Sequence, residues 1–172
     1  MSAFILSQLL IVIAIGSDLA SFQYKSKAKI VACLCISGVL ITLHFILLQQ
    51  YTAAALMALA TVRFFSSLFT SAPAMMLLFA TLSVLISAFT YVDALAIISC
   101  CGSLLHTIAA FCKNDQRLRQ WMLLGSVFWL LHNYLLGSPA AVLMEILFIA
   151  SNLVGYYRYY LRPSTEKQPR NS

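Results

Sequence analysis

Apolar runs of about twenty residues succeed one another from Ala3 to Tyr160, and only a few polar residues separate each from the next. A helix of that length matches the hydrocarbon thickness of a bilayer, and a soluble fold has no use for so many of them. The chain is 62% hydrophobic and 9% charged, with a mean hydropathy of +0.90. Soluble domains carry about 25% charged residues, so this balance leaves too much apolar surface for water. The expectation is an all-α, polytopic membrane protein.

Seven runs are read: Ala3–Tyr24, Ala28–Gln49, Tyr51–Ser71, Pro73–Val92, Asp93–Cys112, Arg119–Gly137 and Ser138–Tyr160. Between them lie a lysine cluster (Lys25, Lys27, Lys29), Gln49-Gln50, Ser71-Ala72-Pro73, Asp93, the loop Lys113–Arg119, and Gly137-Ser138-Pro139. Basic residues follow the first and fifth runs and gather at the C-terminal end, whereas the separators after runs two, four and six have none. Cytoplasmic loops carry such residues, which places the N-terminus outside and the C-terminus in the cytoplasm. Residues 1–162 read as one transmembrane domain and residues 163–172 as a short polar cytoplasmic tail. The first run has the length of a signal-peptide core, but its basic flank follows it, so an uncleaved first helix is expected.

Several classes fall away. The formal charge of +6 is dispersed in small groups, which fits lipid headgroups and not a nucleic-acid partner. The five cysteines form no C-x-x-C pair, and no metal site or cofactor is expected. There is no H-E-x-x-H, no paired-Asp motif and no nucleophile beside a base, so no catalytic residue is assigned and an enzyme is not expected.

An offset of 88 residues lays part of the chain on itself: Lys25 on Lys113, Val39 on Val127, Leu43 on Leu131 and His44 on His132, with Lys29 meeting Arg117. A three-helix unit begins and ends on opposite membrane sides, so a parallel copy needs one extra helix between. Repeat one is then about 3–71, the linker helix 73–92 and repeat two about 93–160. Such a three-plus-one-plus-three plan of parallel repeats is a transporter design, with sites at the repeat interface.

The segment His132-Asn133, Gly137-Ser138, Glu145, Asn152 and Arg158, with His44 and Arg63 in the first half, resembles the signature of the YgjV-type family of bacterial inner-membrane proteins. The resemblance runs through the helical region and is densest in the last two runs. It implies a multi-pass protein of the bacterial inner membrane. That family is distantly similar to the SWEET and PQ-loop (MtN3-like) small-solute transporters, which share the seven-helix plan. PQ-loop proteins place a hinge proline inside the first helix of each repeat. Here Pro73, Pro139, Pro163 and Pro169 stand at boundaries or in the tail, so bending would fall elsewhere, with Gly16 and Gly102 as candidates.

Ionisable groups at membrane depth cost about 2.5–3.5 kcal/mol each, so each needs a partner or a use. Asp18 and Arg63 both fall roughly 10 Å from the cytoplasmic edge by helical rise, and a structural ion pair between them is expected. Arg63 as an anion-binding group is the competing reading. His44, His132 and Glu145 fall roughly 10 Å below the outer surface, where the three could meet. Glu145 and Asn152 share one helix face, and Asn133 points away from His132 toward another neighbour. His106 reads as a structural histidine. His44, Arg63, His132, Asn133, Glu145 and Asn152 are the candidate binding residues for a small polar solute, sugar-like or sugar-acid-like. A small-solute transporter or facilitator is one reading; a membrane receptor or scaffold using the same bundle is the other. Oligomeric state is left open.

Overall fold

In lipid every backbone polar group must be satisfied within its own segment, and this chain takes the helical solution. The computed structural model describes residues 2–21, 27–112 and 114–161. The side chains of Lys25, Lys27, Lys29, Lys113 and Arg158 and the 163–172 tail lie outside the described residues. Seven α-helices follow in order: α1 (Ala3–Ser21), α2 (Lys27–Leu47), α3 (Tyr51–Ser66), α4 (Pro73–Phe89), α5 (Ala94–Phe111), α6 (Asp115–Leu135) and α7 (Pro139–Tyr156). A π-helical turn, Tyr157–Leu161, continues α7, and no strand occurs among the described residues.

Boundaries depart from the sequence reading where polar side chains intervene. α3 ends at Ser66, short of the expected Ser71; Ser66 and Ser67 hydroxyls donate back to Val62 O and Phe64 O at 2.8 Å each. α6 starts at Asp115 instead of Arg119, because Asn114 caps it by accepting from Arg117 N at 3.0 Å. Asp93 caps α5 in the same way, accepting from Leu95 N at 2.9 Å. Pro73 and Pro139 open α4 and α7, where a missing N–H costs nothing. By length and composition α5 and α7 are long and apolar enough to cross a membrane, and α1 to α4 hold shorter apolar stretches.

The turns α2–α3 and α6–α7 are the same motif at positions 88 apart. Gln50 N bonds Phe45 O at 2.9 Å and Ser138 N bonds Asn133 O at 3.1 Å, while Gln49 N bonds Ile46 O and Gly137 N bonds Tyr134 O at 3.0 Å each. These are the two hydrogen bonds of a Schellman stop, whose pivot needs a positive φ. The pivots are Gln49 (φ 58) and Gly137 (φ 71). A non-glycine side chain is strained there, so Gln49→Gly is expected to stabilise the protein by about 1 kcal/mol and Gly137→Ala to destabilise it similarly. Equilibrium unfolding of the two variants in mixed micelles checks both signs.

The helices run alternately up and down and close a ring. α1 packs on α2 and α2 on α3; α5 packs on α6 and α6 on α7; α4 rests on α3 and α5; α3 meets α5 and α1 meets α7. Thr52 Oγ1 donates to Thr90 O at 2.7 Å, tying the top of α4 to α3. The burial pattern is inverted relative to a soluble bundle. Ser37, His44, Arg63, Ser99, Thr107, His132 and Glu145 are buried, while Val12, Ile36, Leu77, Phe89, Ile97 and Val154 face outward. Apolar side chains turned outward around polar ones fit a lipid surround. The apolar core, with Ile11, Ala14, Ile41, Phe45, Trp129 and Met144, sits just below the Schellman turns.

Candidate functional site

Two polar layers lie inside the ring, one above the apolar core and one beneath it. The upper layer joins α1 to the α6–α7 turn. His44 Nδ1 lies 3.0 Å from Ser7 O, and a carbonyl only accepts, so that nitrogen carries the proton. Its Nε2 then accepts from Ser138 Oγ at 3.4 Å. Gln8 completes the knot: Nε2 donates to Ser138 Oγ at 3.2 Å and Oε1 accepts from Ala140 N at 3.0 Å. His44 is thus held on both ring nitrogens.

His132 stands on the equivalent turn of α6, with the Phe45 ring edge-on at 5.5 Å and Trp129 at 5.5 Å. Its Nδ1 meets Asn133 Oδ1 at 3.4 Å, so the two neighbours bond each other; Asn133 was expected to look elsewhere. His132 Nε2 and Asn133 Nδ2 are buried without a partner. The structure brings His44 toward His132, but the group facing Glu145 on α6 is Ser126, nearly two turns below His132.

The lower layer is a cavity of about 80 Å³ between the two halves of the chain. Asp18 of α1, Ser37 of α2, Thr61 of α3, His106 of α5, Ser126 of α6 and Glu145 of α7 all line it. Asp18 and Glu145 lie within Coulomb range of each other. His106 Nε2 donates to Met122 O at 3.2 Å, with Ser126 Oγ 3.5 Å away. Close packing makes room for these groups. A Cβ on Gly125 would run into the His106 ring, and one on Gly38 into the Thr61 hydroxyl. Small residues of this kind let helices approach each other in membranes. Ile41 and Met144 belong to the cavity wall and to the apolar core, which roofs the cavity.

Arg63 does not join Asp18. It projects from the α5 side of α3, where Nη1 donates to Thr107 Oγ1 at 2.6 Å and to Ser103 O at 3.2 Å. Nε has no partner, and the Phe64 ring lies 5.2 Å from the guanidinium carbon. Helical rise gave the two residues one depth, but it carries no information on which way each helix is rotated. Asn152 is also employed elsewhere: Oδ1 accepts from Arg119 Nη1 at 3.3 Å and Nδ2 donates to Arg119 O at 3.1 Å, joining α6 to α7. Of the six candidate binding residues, only Glu145 lines the central cavity.

Asp18, His106, Ser37 and Ser126 take the place of the others, and one signal for them was available. Asp18 and His106 are 88 residues apart, as are Leu34 and Met122, Gly38 and Ser126, and Met57 and Glu145; all eight line the cavity. None of these pairs is an identity, so a search for matching letters passes over them.

A sequence profile described as Imp-YgjV, bacterial inner membrane protein, matches residues 5–163. The chain belongs to this family. Inner membrane protein YgjV of Escherichia coli (strain K12) is 26% identical over 160 residues, covering 93% of this chain and 87% of that protein. No solved structure matches. Membership of the Imp-YgjV family places the chain in the bacterial inner membrane, in accord with its outward apolar surface. Imp-YgjV proteins carry no substrate in their description, so chemistry has to be argued from the cavity.

Proposed function

We propose that this protein is a small-solute transporter or facilitator, not an enzyme, whose solute site is the cavity between two parallel three-helix repeats joined by α4. The observation that carries the reading is the lining itself: four pairs of residues offset by 88 positions meet around one space. Twin Schellman turns at the same offset support it, as does the repeated packing of α1 on α2 on α3 and α5 on α6 on α7. A site shared by two repeats is the arrangement from which rocking of one repeat against the other gives alternating access.

Orientation follows from the basic residues, with the Schellman-turn end outside and the α1 C-terminal end cytoplasmic. The outer end is closed by the Gln8–Ser138–His44 knot and the apolar core beneath it. Below the cavity two further spaces open, about 290 Å³ between α1 and α7 and about 170 Å³ between α6 and α7. Phe148 lines all three spaces, while Asp18 and Met144 are shared by the central cavity and the α1–α7 space and Met122 by the central cavity and the α6–α7 space. Helices as short as α3, about 24 Å by helical rise, are accommodated by local thinning of the bilayer.

The test is a thermal-unfolding screen of the purified protein against sugars, sugar acids and other small polar metabolites, with Glu145→Gln run alongside. A solute at a hundred times its dissociation constant adds about 2.7 kcal/mol of stability. A shift present in the wild type and absent in Glu145→Gln is the expected result, followed by uptake of that solute into proteoliposomes. No shift with any solute, and a variant less stable than the wild type, would mean that Glu145 only joins helices, as in a receptor or scaffold.

A further inference from the structure

We infer that the solute of the central cavity is a single-chain amphiphile, whose small polar head lies in the cavity and whose alkyl chain leaves sideways through the seam between α1 and α7. This rests on the reading of the cavity as the solute site and names the class of solute that the site takes. The ring of helices has two junctions between its halves, and they are built differently. α3 meets α5 through Arg63, which donates to Ser103 O and Thr107 Oγ1, and α4 lies across both helices. α1 meets α7 with no third helix packed across the two among the described residues. Gln8 pins this second junction at its outer end, to Ser138 Oγ and Ala140 N. Below that pin α7 buries Ala141, Met144 and Glu145, and then no residue down to its end at Tyr156. A helix whose lower half stands off the bundle leaves a gap beside its neighbour, here the space of about 290 Å³ between α1 and α7.

Depth and continuity identify what fills that gap. Its walls are Ile15, Leu147, Ala150 and Val154. Leu147 and Val154 are exposed, and helical rise puts them about 12 and 22 Å below Pro139, within the hydrocarbon of the bilayer. Lipid chains, not water, meet the groove at that depth. The groove also runs into the central cavity, since Asp18, Met144 and Phe148 line both. An apolar trough open to lipid therefore ends in a space that Ser37, Thr61, Ser126 and Glu145 make polar. Apolar surface is best matched by hydrocarbon and buried polar groups by hydrogen-bonding partners, so a molecule filling both spaces is polar at one end and alkyl at the other. A free sugar leaves the trough unused, and a plain hydrocarbon offers nothing to the hydroxyls. The cavity volume of about 80 Å³ restricts the head to a small group such as a carboxyl, an amine or a hydroxyl. The α6–α7 space suits a chain less well, because Arg119 and Asn152, bonded to each other, line it.

The experiment reads where lipid chains reach, using the full chain in nanodiscs of phosphatidylcholine brominated at mid-chain, which quenches tryptophan on close approach. The native tryptophans are removed as Trp121→Phe and Trp129→Phe, and Phe148→Trp supplies the reporter at the meeting point of groove and cavity. If that background does not fold, the difference between Phe148→Trp and wild type carries the readout. Leu153→Trp, at an exposed position of α7, gives the quenching of a lipid-facing site. The Phe148→Trp reporter is expected to be quenched nearly as strongly, and Ala150→Phe, which fills the groove, to remove at least half of that quenching. Unbrominated dodecanoate, dodecylamine and dodecanol are then added, with dodecyl maltoside as an amphiphile whose head is too large for the cavity. One of the small heads should reverse the quenching at a mole fraction about tenfold below that needed by simple dilution of the brominated chains. Its identity then names the head chemistry. Four results overturn the inference: a reporter that stays bright while Leu153→Trp is quenched, quenching indifferent to Ala150→Phe, reversal by dilution alone, or reversal by the maltoside as effective as by the small heads. A thermal shift with a free sugar that is lost in Glu145→Gln would still uphold transport in each of those cases, and its absence would remove both readings.

Discussion

Gly125→Val is expected to lower the stability of the bundle by about 3 kcal/mol, the upper part of the range for overpacking a tight interior. A Cβ at Gly125 would collide with the His106 ring, with Nε2 at 2.6 Å and Cγ at 3.1 Å. That ring cannot retreat cheaply, because Nε2 donates to Met122 O one turn back on α6 itself. Either α5 and α6 separate or the ring swings away and leaves the carbonyl behind. The control is Gly16→Ala, where a Cβ meets nothing within 4 Å and no loss is expected. The measurement is reversible unfolding in mixed micelles for both variants. Equal stability of Gly125→Val and wild type would mean that α5 and α6 do not approach as closely as described.

The elements were legible in the sequence because their signals are local. Seven apolar runs, the break at Pro73, the separator Asp93 and the turn Gly137-Ser138-Pro139 are each read within a few residues, and the structure puts helix starts or turns at all three breaks. The pairing of His44 with His132 was legible as well, since the same letter stands at both positions of the 88-residue offset. What was not legible is rotational. Asp18 and Arg63 share a depth, yet one faces α7 across the cavity and the other faces α5. The upper layer misled for a related reason. His44, His132 and Asn133 are as buried as any site residue, but His44 is satisfied by Ser7 and Ser138, contacts that span up to 94 positions of chain. The cavity residues were hidden because they share no letters at the 88-residue offset. Asp18 and His106, like Met57 and Glu145, are 88 residues apart and line one cavity, but they differ in residue type, so no matching letters mark them.

Arg63→Ala is expected to cost about 4 kcal/mol and Arg63→Met very little, and the contrast between them decides what Arg63 is for. The guanidinium is 1% exposed, and its removal as alanine leaves a hole the width of a long side chain between α3 and α5. The bonds it gives up are replaceable. Thr107 Oγ1 already donates to Ser103 O at 2.8 Å, so neither acceptor is stranded when Nη1 disappears. Most of the penalty is therefore lost packing, and the unbranched methionine refills most of that volume. Replacing a buried charge by an apolar side chain of similar size is often neutral or better, and Arg63 carries an Nε that bonds nothing to begin with. An Arg63 that binds anionic solutes would behave otherwise: Arg63→Met would keep its stability and lose a solute-induced shift. With Arg63 behind His106 and outside the cavity lining, the shift should survive in Arg63→Met.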